Sequence, residues 1–226
     1  MSDTRNGTSS QIYSKASAPG TDASAQMPLL LVEDDSALRS ILCNFLKMHG
    51  YTVLEADCRT SALDVINKHK QLPVVILDLG LPPSPHTTDE GLAFIRTVRT
   101  ELHPAKIIVL TGQDQESAAL DAIREGAFDF LAKPAISADI VQAVRRAFLF
   151  CRKEAEMAME GFTHLHLKAR ICDGLKAVRE EAEEKLVRKV LKDTGFNVYQ
   201  SAARLGVKRE SIYYFLNKFG IERHDV

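Results

Sequence analysis

The stretch PVVILDLGLP, residues 73–82, decides the fold. Val74, Val75, Ile76 and Leu77 form a run too short for a helix and apolar at every position. Such a run reads as a strand buried on both faces of a parallel sheet. Asp78 ends it, and Gly80 and Pro82 follow as chain-turning residues. A carboxylate at the carboxyl end of a buried strand stands where open α/β sheets gather their chemistry.

Working outward, three further runs finish in the same way. LLLV at 29–32 ends in Glu33, Asp34 and Asp35. IIVL at 107–110 ends in Thr111 and Gly112, and FDFLA at 128–132 ends in Lys133 and Pro134. Four strand-like runs thus deliver a polar group at one common end, around Asp78. A fifth strand is expected at 51–55. Between the strands lie helical periodicities. Residues 36–49 place Leu38, Ile41, Leu42, Phe45 and Leu46 on one face, stopped by Gly50. Further helices are expected at 61–66, at 91–98 with Leu92, Phe94, Ile95 and Val98 inward, at 117–124, and from 137 to about 150. Five β-α repeats with right-handed crossovers predict an α/β fold, a doubly wound five-stranded parallel sheet.

Beyond residue 150 no strand pattern emerges. Residues 151–179 read as a charged helical linker interrupted at Gly161 and Gly174. Residues 180–226 read as a small all-α domain. Its first helix carries Ala182, Leu186, Val187, Val190 and Leu191 on one face. A short helix containing Ala202 and Ala203, a turn at Gly206 and a helix from Lys208 to Phe219 then make a helix-turn-helix.

The chain has 226 residues, 45% hydrophobic content and a formal charge of −1, distributed unevenly. Residues 27–150 hold 12 basic and 16 acidic side chains, whereas 185–223 hold 9 basic and 3 acidic. The C-terminal piece is therefore the one suited to a polyanion. Cys43, Cys58, Cys151 and Cys172 show no paired spacing, which fits a reducing compartment. No apolar run could span a membrane, and residues 1–26, rich in Ser, Thr, Ala and Gly, read as a disordered tail. A cytoplasmic protein is expected. The pair His164 and His166 lacks neighbouring ligands and reads as linker histidines.

Glu33, Asp34 and Asp78 at neighbouring strand ends would form an oxygen cage, suited to Mg²⁺. Charge neutralisation there lets a carboxylate attack phosphorus. Asp78 is then the nucleophile, Lys133 a second cation and Thr111 a hydroxyl donor to the new phosphoryl group.

This constellation resembles the receiver domain of two-component response regulators, over residues 27–150. The resemblance implies a flavodoxin-like fold, metal ligation by Glu33, Asp34 and Asp78, phospho-acceptance at Asp78, and switch roles for Thr111 and Phe130. It implies Lys133 as the family's lysine, with a cis bond to Pro134. Asp35 is read as a helix N-terminal residue instead. Residues 83–90 make this loop longer than usual in the family, as a surface insertion. A hydrolase of the haloacid-dehalogenase kind would need a second Asp two residues after the first, where this chain has Gly80; no turnover enzyme is indicated.

The stretch from Ser201 to Tyr213, with Phe219, Gly220 and Ile221, resembles the Fis-type DNA-binding domain of nitrogen-regulator-like response regulators. No Gly-x-x-x-x-Gly-Lys-Ser/Thr loop lies between the two domains, so no central ATPase module is expected. The resemblance implies a sensor histidine kinase as phosphodonor, a homodimer on activation, and DNA as partner. Lys208, Arg209, Ser211, Tyr213, Tyr214, Asn217 and Lys218 are the candidate DNA contacts. Tyr213, Tyr214 and Phe215 stand where basic residues are usual in the family. That leaves a second reading, a phosphorylation-controlled adaptor using an aromatic protein-binding face.

Overall fold

The computed structural model describes residues 27–101, 103–112, 115–135, 137–163, 165, 167, 172 and 174–222. The tail reading of 1–26 and the pair His164 and His166 lie outside the described residues. Strands β1 (Met27–Val32), β2 (Tyr51–Ala56), β3 (Val74–Leu77), β4 (Lys106–Thr111) and β5 (Asp129–Ala132) alternate with helices α1 (Ser36–Met48), α2 (Arg59–Lys68), α3 (Asp89–Thr100), α4 (Gln115–Glu125) and α5 (Ser137–Met159). The strands pair in parallel in the order β2-β1-β3-β4-β5. Chain direction across the sheet reverses between β1 and β3, and this opens a crevice at their carboxyl ends.

The all-apolar strands are explained by helices on both faces, because alternate side chains feed opposite cores. Leu30, Val32, Val75, Leu77, Ile107 and Val109 pack with residues of α2, α3 and α4, including Phe94 and Ile95. Leu29, Leu31, Val74, Ile76, Ile108 and Leu110 pack with residues of α1 and α5, including Leu46 and Val144. On α1 the inward face is rotated from the expected one. Ile41 is 65% exposed, while Cys43 is buried and its Sγ donates to Glu55 Oε1 at 3.0 Å. Position 43 lies three residues before Leu46 on the buried stripe, whereas position 41 sits past its edge.

Helix α5 runs to Met159, past the expected end near residue 150. The additional turns lie under the amino-terminal edge of the sheet. There Lys106, 5% exposed at the start of β4, pairs with Glu154 at 2.5 Å, and Cys151 Sγ donates to Pro73 O at 3.2 Å. A buried ammonium needs a partner, and the continued helix carries it. Helix α6 (Gly174–Asp193) likewise starts before residue 180. Both expected boundaries, 150/151 and 179/180, therefore fall inside continuous helices.

His103 is buried against the same edge. Its Nδ1 accepts from Ala105 N at 3.2 Å, so its Nε2 carries the proton and donates to His69 O at 3.1 Å. Burial, with the nearby charges of Lys192, Lys70 and Arg99, lowers its pKa from the ordinary 6.5 despite the bond to His69. The folded state thus favours the neutral ring. Its contribution is complete above the unfolded pKa and is lost as pH falls below it. Unfolding free energy measured from about pH 8 to about pH 5 is expected to fall more steeply in the wild type than in His103→Asn. Parallel curves would refute the lowered pKa of His103.

A third, separate core joins α6 to α7 (Val198–Leu205) and α8 (Arg209–Phe219). Val187, Leu191, Ala202, Ile212 and Ile221 are buried in it, with Phe215, Leu216 and Phe219 packed against them. Asn197 caps α7 by accepting from Tyr199 N and Gln200 N, each at 3.1 Å. Gly206 ends α7 at φ 65, the left-handed conformation that turns the chain into α8.

Candidate functional site

Strand register builds the first site. Val32 pairs with Leu77, so the residues that follow, Glu33 and Asp78, emerge side by side. Asp78 N donates to Val32 O at 2.9 Å, which holds the two strand ends together. Across the sheet Thr111 pairs with Ala132, and Lys133 N donates to Thr111 O at 2.9 Å. Lys133 therefore rises from the last strand toward the carboxylates. Its Nζ lies 2.6 Å from Glu33 Oε2 and 2.7 Å from Asp78 Oδ2. Asp78 Oδ1 accepts from Gly80 N at 3.2 Å.

Glu33 is the most enclosed acid among the described residues, 2% exposed. Burial raises its carboxyl pKa above the usual 4.5, opposed chiefly by the hydrogen bond and charge of Lys133. Burial works to lower Lys133, but the bonds and charges of Asp78 and Glu33 outweigh it and its pKa is raised from 10.5. Each group therefore depends on the other for its charge.

Ligand oxygens of Glu33, Asp34 and Asp78 all lie within 4.8 Å of one another. An all-carboxylate oxygen set of this size fits a hard divalent cation such as Mg²⁺. Asp35 is not part of it. Its side chain accepts from Ala37 N and Leu38 N at 2.8 and 3.2 Å and caps α1. Asp34 Oδ1 accepts from Asp35 N at 3.0 Å, which orients that carboxylate.

Thr111 is buried at the end of β4, and Phe130 is half-buried in β5, packed against the α2–α4 core. The peptide between Lys133 and Pro134 is cis, as is that between Pro82 and Pro83. The long loop after β3 is folded as successive turns, with Ser84 N donating to Leu81 O and Thr87 N to Ser84 O. Beyond it, Glu90 accepts from Arg59 at 2.6 Å, tying the start of α3 to α2.

The second candidate surface is the outer face of α8. Lys208, Arg209, Tyr213, Tyr214, Asn217 and Lys218 are exposed there and Ser211 is half-buried. Phe215 belongs to the core, so the expected three-residue aromatic patch reduces to two tyrosines. Helical spacing explains this, since 215 lies three residues after Ile212 and four before Phe219. Lys218 is drawn back toward α6, bonding Glu183 Oε2 at 3.0 Å. The positive balance is also smaller than the count over 185–223 indicated. Residues 174–222 hold 10 basic and 7 acidic side chains, because α6 includes Glu180, Glu181, Glu183 and Glu184. Tyr199 of α7, absent from the sequence-based set, joins this surface. It is 69% exposed and its hydroxyl accepts from Arg209 Nη1 at 2.5 Å. Only the Tyr199 side chain's size hinted at this, since its partner lies across the turn.

Comparison with known proteins follows the same division. Residues 29–145 match the response regulator receiver domain, and residues 178–219 match the Fis family of bacterial regulatory proteins. The C4-dicarboxylate transport transcriptional regulatory protein DctD of Rhizobium meliloti (strain 1021) is 27% identical over 203 residues, 88% of this chain and 42% of that protein. The KDP operon transcriptional regulatory protein KdpE of Escherichia coli (strain K12) is 36% identical over 107 residues, 47% of this chain and 44% of that protein. The chain thus spans less than half the length of either relative. In structure, the signal receiver domain of a protein described as a Luxo repressor, from Vibrio parahaemolyticus, superposes with a TM-score of 0.50 at 26% identity, covering 57% of this chain and 98% of that one. Among the described residues no helix is long and apolar enough to cross a membrane.

Proposed function

The chain belongs to the response regulator receiver domain family, and on that premise we propose that it is a transcription regulator switched by phosphorylation of Asp78. The observation that carries this reading is the convergence of Glu33, Asp34, Asp78 and Lys133 at the switch point of the sheet, in a chain that also holds a Fis-type helix-turn-helix.

One oxygen of Asp78 attacks the phosphorus of a donor, a phosphohistidine of a sensor kinase or a small acyl phosphate. The new O–P bond forms as the donor's P–N or P–O bond breaks, with its electron pair leaving on the donor. Glu33, Asp34 and Asp78 would hold Mg²⁺, which offsets charge on the transferring oxygens. Lys133 already contacts Asp78 and exchanges that bond for one to a phosphoryl oxygen. The Thr111 hydroxyl bonds a second oxygen, and Phe130 follows it inward. Movement at β4 and β5 alters the neighbouring α4 surface, where Leu120 and Ile123 are exposed. That face would pair two copies and set the spacing of two DNA half-sites. Asp78 is consumed once per event, so no turnover reaction is assigned.

Intact-mass measurement after incubation with acetyl phosphate and Mg²⁺ is expected to show one added phosphoryl group on the wild type and none on Asp78→Asn. Equal labelling of both would remove Asp78 as acceptor. The phosphorylated wild type is then expected to enrich specific sequences from a random duplex pool. Binding should weaken linearly in log salt by about 0.9 log units per neutralised phosphate. Failure to enrich any sequence in either state would favour the protein-binding adaptor.

A further inference from the structure

Arg209 is the first residue of α8, and its guanidinium is held on two sides. Its central carbon lies 4.9 Å from the Tyr199 ring centroid and 5.7 Å from that of Tyr213, and its Nη1 bonds the Tyr199 hydroxyl. Tyr213 comes from the next turn of the same helix, as the spacing of four residues dictates. Tyr199 comes from α7, across the glycine turn. All three side chains are exposed, and none belongs to the hydrophobic core of this domain. A solvent-facing stack of this kind adds little to folding, because exposed cation–π contacts are weak.

What it does provide is orientation. A free arginine loses much rotamer freedom when it makes a planar two-bond contact. Here the two rings restrict the guanidinium beforehand, and the Tyr199 hydroxyl takes one of its five N–H donors, which leaves further donors of the planar fork for a ligand. The amino-terminal residues of the second helix in a helix-turn-helix are those that meet base edges in the major groove. A planar pair of N–H donors there matches guanine O6 and N7.

On the DNA-binding reading above, we infer that Tyr199 is a positioning residue that holds Arg209 for bidentate recognition of one guanine. Sequence preference at that base then depends on a tyrosine that does not itself touch it. Tyr214 and Asn217 lie further along the exposed face and contribute at other positions.

The test uses the full-length protein, treated with acetyl phosphate, in competition between the selected duplex and one with that guanine replaced by adenine. Arg209→Ala is expected to abolish the preference. Tyr199→Ala is expected to reduce it about tenfold or more, while the slope of binding against log salt stays as in the wild type. Tyr199→Phe keeps the ring and loses the hydroxyl, and its preference should fall between those of the wild type and Tyr199→Ala. A general loss of folding would lower binding to both duplexes alike and flatten the salt slope. Undiminished guanine preference in Tyr199→Ala, alongside its loss in Arg209→Ala, would overturn the positioning role and leave DNA binding standing. A wild type that selects no duplex at all would instead overturn the DNA-binding reading itself.

Discussion

Lys133→Ala is expected to destabilise the receiver domain by about 3 kcal/mol near neutral pH, the low end for removing one member of a buried ion pair. The low end applies because a fifth of the Lys133 side chain remains exposed. Its loss leaves Glu33 enclosed, facing Asp78 and Asp34 with the principal opposing cation gone. The sign of the pH dependence follows from Glu33. Its pKa is already raised by burial, and without Lys133 it rises further. A raised carboxyl favours the folded state at low pH and loses that contribution as pH climbs through the folded pKa. The deficit of the variant relative to wild type should therefore shrink toward about pH 5 and grow toward about pH 8. Mg²⁺ should restore more stability to the variant than to the wild type, because it takes over the neutralisation of the same oxygens. Urea unfolding at the two pH values, with and without the metal, measures all of this. Asp78→Asn provides the contrast, since it removes a charge yet leaves Lys133 on Glu33. If the two substitutions proved equally destabilising, the dependence of Glu33 on Lys133 would be wrong.

Gly91→Ala should cost about 2–3 kcal/mol, although helix propensity alone predicts a gain of about 1 kcal/mol. Gly91 sits in the first turn of α3, and its N–H bonds Leu79 O at 3.3 Å. A Cβ there would lie 2.5 Å from Leu79 Cα, 2.7 Å from its Cδ2 and 3.0 Å from its carbonyl oxygen. The nearest atom is backbone, next to Asp78, and Leu79 is fully buried. No rotamer change relieves that contact, so α3 or the strand end must shift. Steric cost outweighs propensity for this reason. Displacement of Leu79 should also slow acetyl phosphate labelling of Asp78. A variant as stable as wild type and labelled at the same rate would show that the loop after β3 yields freely.

Much of the receiver domain was legible because its signals are local. Three runs of buried apolar residues, a fourth that is half-buried, and their terminal polar groups are adjacent in the chain, and parallel strands with helical crossovers align those ends automatically. The order Glu33, Asp34, Asp78, Thr111, Lys133 therefore foretold a common site, and strand register brings Glu33, Asp78 and Lys133 into contact. The seven-residue surface of α8 was legible only in outline. Its candidate residues followed from the family resemblance, while the inward turn of Phe215 depended on which residues of α6 and α7 it meets. The same holds on α1, where hydrophobicity favoured Ile41 but the groove beside β2 received Cys43.

By itself the sequence determined the doubly wound sheet, the gathering of polar groups around Asp78 at its strand ends, and the presence of a second helical domain. These rest on interactions between residues close in the chain or aligned by repeated β-α geometry. Tertiary structure alone decided the pairing of Lys106 with Glu154 that prolongs α5, the close approach of Gly91 to Leu79, and the clasp of Arg209 by Tyr199. Each of those joins side chains or backbone from different elements. Their meeting depends on how helices and strands pack, which periodicity along one element does not encode.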